Sequence, residues 1–159
     1  MVTIITGTIN GYKTTKMHEL YHLNKFGDGF LSIKKMIDDH VHSYNIMKLS
    51  TKETRLFIKH EQFFNNDFKI AFKLGPYLFN QEVFIWVHDE INHFIKNNVE
   101  PIYLDEIGLL ELDNKGFHQT VLALITSNLN CVITVRKNLL KDIINHYNIE
   151  AFTLIDTTS

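Results

Sequence analysis

Pro101-Ile102-Tyr103-Leu104-Asp105-Glu106 is the stretch on which the architecture of this chain turns. A short apolar run predicts a buried strand, and this one stops at two adjacent carboxylates. Upstream, Asn80–Asn97 predicts a helix. Val83, Trp86, Val87, Ile91, Phe94 and Ile95 fall on one stripe of it, and Asn97-Asn98 closes it. Downstream, helical patterns over Gly116–Asn128 and Lys137–Tyr147 alternate with strand-like runs at Cys131–Val135 and Ala151–Ile155. At the other end of the chain, Val2–Thr6 is a short β-branched run, and Thr14–Lys25 carries Met17, Leu20 and Tyr21 at helical spacing. Strands and helices that alternate in this way predict an α/β fold with a mainly parallel sheet flanked by helices.

Between about residues 29 and 60 the pattern changes. Gly29–Met36, Ser43–Leu49 and Thr54–Lys59 read as strands. The turn-prone Asp38-Asp39-His40 and Ser50-Thr51-Lys52 separate them. Connections this short favour antiparallel hairpins. The expected organisation is one domain over 1–159 with an antiparallel hairpin insert. Neither repeats nor a linker break it.

The segment after the first run is Gly7-Thr8-Ile9-Asn10-Gly11-Tyr12-Lys13-Thr14-Thr15. A loop that cradles phosphate needs converging backbone N–H groups, a lysine for the β/γ phosphates and a Ser/Thr hydroxyl for Mg²⁺. Its usual spacing is G-x-x-x-x-G-K-[ST], between a strand and a helix. Gly7, Lys13 and Thr14 match. Tyr12 stands where the second glycine belongs, and Gly11 precedes it. A tyrosine held in left-handed geometry there costs about 1–2 kcal/mol. The competing interpretation is an ordinary strand–helix turn with an exposed lysine. The carboxylate pair tips the balance, because nucleotide hydrolysis needs a carboxylate for the Mg²⁺ shell and often another that orients the attacking water. In open α/β sheets both belong at the C-terminal ends of strands. Asp105 fits the first role and Glu106 the second. Without the loop they would be two solvated acids at a strand end.

Together these residues resemble a known family. Ile5-Thr6-Gly7, Lys13-Thr14-Thr15, Gly29-Phe30 and above all Leu104-Asp105-Glu106-Ile107-Gly108-Leu109-Leu110-Glu111-Leu112 are similar to the small P-loop nucleoside-triphosphatases. The order of elements agrees along nearly the whole chain. The resemblance implies a Mg²⁺-dependent hydrolase acting on ATP, GTP and other nucleoside triphosphates. It places Lys13 and Glu106 in catalysis, Gly7 to Thr15 around the nucleotide, Thr14 and Asp105 at the metal, and Glu111 as a support for the loop after the strand. Tyr12 is the departure from the family pattern.

Bulk properties agree and exclude several classes. Net charge is −2 with both signs interspersed, so no basic nucleic-acid footprint is expected. No apolar run reaches bilayer-spanning length. The lone Cys131 rules out an intrachain disulfide, and a reducing, cytoplasmic setting is expected. Cys131 itself suits an inert core thiol. His18-Glu19-Leu20-Tyr21-His22 fits H-E-x-x-H, but both histidines fall off the apolar stripe of their helix. Asp38-Asp39-His40-Val41-His42 suits a solvated turn. Arg136 follows a strand and could reach the γ-phosphate, or be a surface residue at a helix start. Tyr77 or Phe79 could stack on a base.

Two rivals to hydrolysis remain. Tyr12 suits a non-hydrolysing binder or interaction module with a degenerate loop. A nucleotide kinase usually presents several arginines around the transferred group, and this chain has only Arg55 and Arg136. Base preference and oligomeric state are not encoded legibly.

Overall fold

The computed structural model describes residues 1–9 and 12–158. The first half runs β1 (Val2–Gly7), α1 (Lys13–Asn24), β2 (Asp28–Ile37), β3 (His40–Lys48), β4 (Thr54–His60), β5 (Ile70–Leu74) and β6 (Tyr77–Asn80). Then follow α2 (Gln81–Lys96), β7 (Ile102–Ile107), α3 (Leu109–Leu112), α4 (His118–Thr126), β8 (Cys131–Arg136), α5 (Leu140–His146) and β9 (Phe152–Asp156). The strands form one sheet in the order β5-β6-β4-β3-β2-β7-β8-β1-β9.

The α/β architecture follows the sequence pattern, and the sheet has two regimes. From β2 through β7, β8, β1 and β9 every neighbouring pair is parallel. From β2 outward through β3, β4, β6 and β5 every pair is antiparallel. The hairpin insert therefore extends the main sheet through β2, which belongs to both halves. It also reaches past residue 60, where β5, overlapping the short strand-like run Phe68–Phe72 of the sequence, and β6 add two more strands.

The parallel strands are buried on both faces, and neighbouring residues serve opposite layers. Ile4, Phe30, Leu104 and Ile133 join the larger core with α2 and α4, whereas Ile5, Leu31, Tyr103 and Val132 meet Met17 of α1 on the other face. α2 buries Val83, Trp86, Val87, Ile91 and Phe94 of the stripe expected from its spacing, and Ile95 is half-buried against the same core. Its N-terminus is capped by the Asn80 side chain, which accepts from the Glu82 N–H at 3.0 Å. α1 is less amphipathic and fully buries only Lys13 and Met17. It starts at the C-terminal end of β1 and lies over β1, β2, β7 and β8. The loop before it thus opens at the edge where β7 and β8 also end.

Candidate active site

Thr14, the second residue of α1, donates its hydroxyl to Asp105 Oδ2 at 2.7 Å. Residues 91 positions apart are thereby joined across the end of the sheet. Asp105 is 1% exposed. It also accepts the Ser32 N–H on Oδ2 at 3.0 Å and the Thr134 hydroxyl on Oδ1 at 2.5 Å. Burial pushes its carboxyl up. The donors from Thr134, Ser32 and Thr14, and then the Lys13 charge, act in the opposite direction. All three hydrogen bonds use Asp105 as acceptor, which is how an ionised carboxylate bonds.

Glu106 is placed by a break in the strand. Leu104 pairs with Ile133 and Ile107 with Val135, so β7 spends one more residue than β8 over that interval. This β-bulge coincides with φ +68° at Glu106. Such a conformation is uncommon for a residue with a side chain and costs about 1 kcal/mol or more. The Glu106 N–H is held by Thr134 Oγ1 at 2.7 Å. Thr134, fully buried, therefore accepts from one acid's backbone and donates to the other acid's side chain. The tip of Glu106 stays open to the cleft, while the walls strip water from much of its surroundings. This burial and the neighbouring Asp105 raise its pKa, against the pull of Lys13 and Arg136.

Lys13 is 7% exposed, and its Nζ donates to the Thr8 carbonyl at 2.7 Å. Burial lowers its pKa, against the opposing pull of Glu106 and Asp105. Arg136 ends β8 opposite Gly7 and lines the same cleft as Lys13, Thr14, Thr15 and Glu106. It is half-buried at the site, not a remote surface residue. The other arginine, Arg55, sits 4.1 Å above the Trp86 ring instead.

Tyr12 adopts φ 65°, ψ 22°, the left-handed conformation that favours glycine at this position. Its side chain is 75% exposed at the rim of the cleft, and its carbonyl accepts the Lys16 N–H at 2.9 Å at the start of α1. Gly7, Thr8 and Ile9 lead into the turn. Asn10 and Gly11, also assigned to the nucleotide from sequence, lie outside the described residues.

Glu111 is buried as the third residue of α3. Its Oε1 accepts the Gly108 N–H at 2.7 Å and its Oε2 the Phe117 N–H at 2.8 Å. Burial pushes its carboxyl up to about 7, with those two donors opposing. The supporting role implied by resemblance thus has a geometric counterpart.

The weaker sequence signals fall elsewhere. His18 and His22 approach at 3.0 Å on α1, but no cluster of three metal-ligating side chains exists among the described residues. Asp38 and Asp39 form the exposed turn between β2 and β3. Burial pushes the Cys131 thiol up to about 11, consistent with an unreactive core residue. No helix is long and apolar enough to cross a membrane among the described residues. Thr134 and Ser32 were not singled out from sequence. A threonine inside Cys-Val-Ile-Thr-Val carries no signal, because β-branched residues are ordinary in strands.

Comparison with known proteins identifies the family and the fold. Residues 2–158 match the profile of the family described as NTPase. The crystal structure of THEP1 from the hyperthermophile Aquifex aeolicus superposes with a TM-score of 0.70 at 22% identity, covering 99% of this chain and 90% of that one. The solution structure of a human cancer-related nucleoside triphosphatase superposes with a TM-score of 0.65 at 15% identity, covering 97% and 87%. At such identities the two structures speak for the fold. Among curated proteins nothing matches the chain by sequence.

Proposed function

From the premise that this chain belongs to the NTPase family, we propose that it is a Mg²⁺-dependent nucleoside triphosphatase, releasing phosphate and a nucleoside diphosphate. The observation that carries this reading is the 2.7 Å hydrogen bond from Thr14 to Asp105. It pairs a hydroxyl at a helix N-terminus with a buried carboxylate, the hard oxygen donors that suit Mg²⁺. Thr14 would hold the ion directly and Asp105 mostly through water. When bound, Mg²⁺ neutralises developing charge on the phosphates.

The chain's own residues supply the rest. The N–H groups at the start of α1 receive the phosphate oxygens, favoured by the helix dipole. Lys13 exchanges the Thr8 carbonyl for the β/γ phosphates. Arg136 adds a second cation beside the γ-phosphate. Glu106 polarises the attacking water and takes its proton. Tyr12 is compatible with these steps, because it adopts the left-handed backbone that a glycine would supply there.

Phosphate release from ATP, GTP, CTP and UTP with Mg²⁺ tests the reading, comparing wild type with Lys13→Ala and Glu106→Gln. Both variants should lose turnover, and Glu106→Gln should still bind nucleotide. Because the Glu106 pKa is raised, the acidic limb of the wild-type rate profile should lie above the usual carboxylate range near 4.3. Turnover that survives Glu106→Gln refutes the role of that residue. Nucleotide binding without turnover in wild type would instead favour the non-hydrolysing binder.

A further inference from the structure

Glu106 borders two chambers. One is the cleft along Tyr12, Lys13, Thr14 and Thr15. The other, of about 130 Å³, also borders Glu106 and is walled by Tyr44, Phe57, Tyr77, Phe84, Leu110 and Phe117. Lys13, Ser32, Tyr44, Glu106 and Arg136 line both. A hydrolase needs room only for a water molecule beside its base. An aromatic chamber opening onto that base is built for a larger nucleophile.

Three observations define the occupant. First, a cavity of about 150 Å³ lined by apolar side chains is large enough to bind benzene, so the chamber matches one ring. Second, its cations are Lys13 and Arg136, which also face the phosphate cleft, and its other acid, Glu111, is tied to Gly108 and Phe117. Among the described residues lining the chamber there is no further cation for an anionic acceptor such as a nucleoside monophosphate, so the occupant is neutral. Third, the Ser32 hydroxyl is buried at the junction of the chambers and has no hydrogen-bond partner among the described residues. A buried hydroxyl without a partner is costly unless a ligand completes it.

Resting on the nucleotide site described above, we propose that this protein also transfers the γ-phosphoryl group to a small neutral alcohol carrying one aromatic or heteroaromatic ring. The ring occupies the chamber, and the alcohol oxygen sits between Ser32 Oγ and Glu106. As that oxygen bonds to the γ-phosphorus, the bond from phosphorus to the β–γ bridging oxygen breaks. The nucleoside diphosphate leaves with the electron pair. The hydroxyl proton passes to the Glu106 carboxylate, and the product is a phosphate monoester. Hydrolysis is the same displacement with water in place of the alcohol. The scarcity of arginine weighs against an acceptor that already carries phosphate, and leaves a neutral one open.

The test uses γ-labelled ATP with Mg²⁺ and a panel of benzyl alcohol, 2-phenylethanol and the pyridylmethanols, with benzyl phosphate and toluene as controls. Label should move from inorganic phosphate into an alcohol phosphate ester. The share released as phosphate should fall roughly tenfold, because a positioned hydroxyl outcompetes bulk water. Ser32→Ala should raise the alcohol KM about tenfold, the worth of one hydrogen bond. Leu74→Trp, at the half-exposed mouth, should narrow the chamber and lower ester yield. Saturation-transfer NMR on the nucleotide-free protein should show benzyl alcohol and toluene bound, and toluene should compete. Phosphate released at the same rate with every alcohol, with no ester, overturns the inference and leaves the hydrolase standing. Ester without phosphate release supports the inference and refutes hydrolysis as the main activity. Neither product overturns both. Absence of ring binding by NMR overturns the chamber assignment regardless of turnover.

Discussion

Thr134→Val tests whether the two acids are held as a unit. The hydroxyl of Thr134 is fully buried, donates to Asp105 Oδ1 at 2.5 Å and accepts from the Glu106 N–H at 2.7 Å. Valine keeps the shape and deletes both bonds. The bond to a charged carboxylate is worth about 1.5–3 kcal/mol, and an orphaned buried N–H costs about 1–3 kcal/mol. The two are coupled through one atom, so they do not simply add. A loss of about 3 kcal/mol in unfolding free energy is expected, read by urea denaturation at neutral pH. Thr134→Ser retains the oxygen and drops one methyl, which costs about 1 kcal/mol. Activity should follow the same split. Partners behind a metal-binding side chain typically contribute about 10–100-fold, so phosphate release should fall by that factor in the valine variant and far less in the serine variant. If valine and serine lie within about 0.5 kcal/mol of each other, Thr134 is a packing residue and its bridging role is wrong.

Three further perturbations probe the frame around the site. Gly116 has φ +63°, and a Cβ there would lie 2.3 Å from Glu111 Oε2, so Gly116→Ala should cost about 3 kcal/mol by adding left-handed strain and breaking the bond to Phe117 N–H. A loss under about 1 kcal/mol by denaturant titration would show that the loop gives way freely. Glu111 is raised from 4.5 to about 7, so the folded state holds its proton more tightly than the unfolded state. That contribution is fully present below about pH 4.5 and is lost as pH rises through about 7, a swing of about 3 kcal/mol. Wild type should therefore lose more stability than Glu111→Gln over that window, and parallel pH profiles would refute the assignment. Tyr12→Gly relieves the strain at φ 65° but loosens the unfolded chain, so a net gain of at most about 1 kcal/mol is expected in thermal unfolding. A rise of more than about tenfold in nucleotide affinity would mean that the natural ring impedes the loop.

How much was legible follows from which features leave a local trace. The stripe on α2 and the apolar runs of β1, β7 and β8 are properties of single segments, and each appears where its spacing placed it. Lys13, Thr14, Asp105 and Glu106 could be grouped because loop and acids both sit at strand ends, and parallel strands bring those ends to one edge. Ser32 and Thr134 could not. Ser32 reaches the site through its backbone N–H, which no residue type announces. Thr134 matters through a register with β7 that is itself interrupted. The short α3 was missed because four residues show no period. Arg136 was left ambiguous because its alternatives differ only in which strand lies beside it. The pairing of Arg136 with Gly7 supplies that fact.

The bulge in β7 connects these observations. On a regular strand, consecutive side chains point to opposite faces, so Asp105 and Glu106 could not both serve one phosphate. The extra residue between Leu104 and Ile107 removes that restriction. Asp105 stays buried and reaches Thr14, while Glu106, rotated to φ +68°, faces the cleft with Lys13 and Arg136. The strain at Glu106 is offset locally by the bond from its N–H to Thr134. Beyond the bulge the chain passes through Ile107 and Gly108 into α3, and Leu110 and Phe117 from this segment wall the aromatic chamber. The same displacement that brings two acids to one phosphate therefore aims the second acid at the mouth of a second cavity. Removing the bulge would return Glu106 to the regular strand register and disconnect it from both chambers. Glu106→Gln should thus abolish phosphate release and ring-alcohol phosphorylation together, whereas narrowing the mouth at Leu74 should separate them.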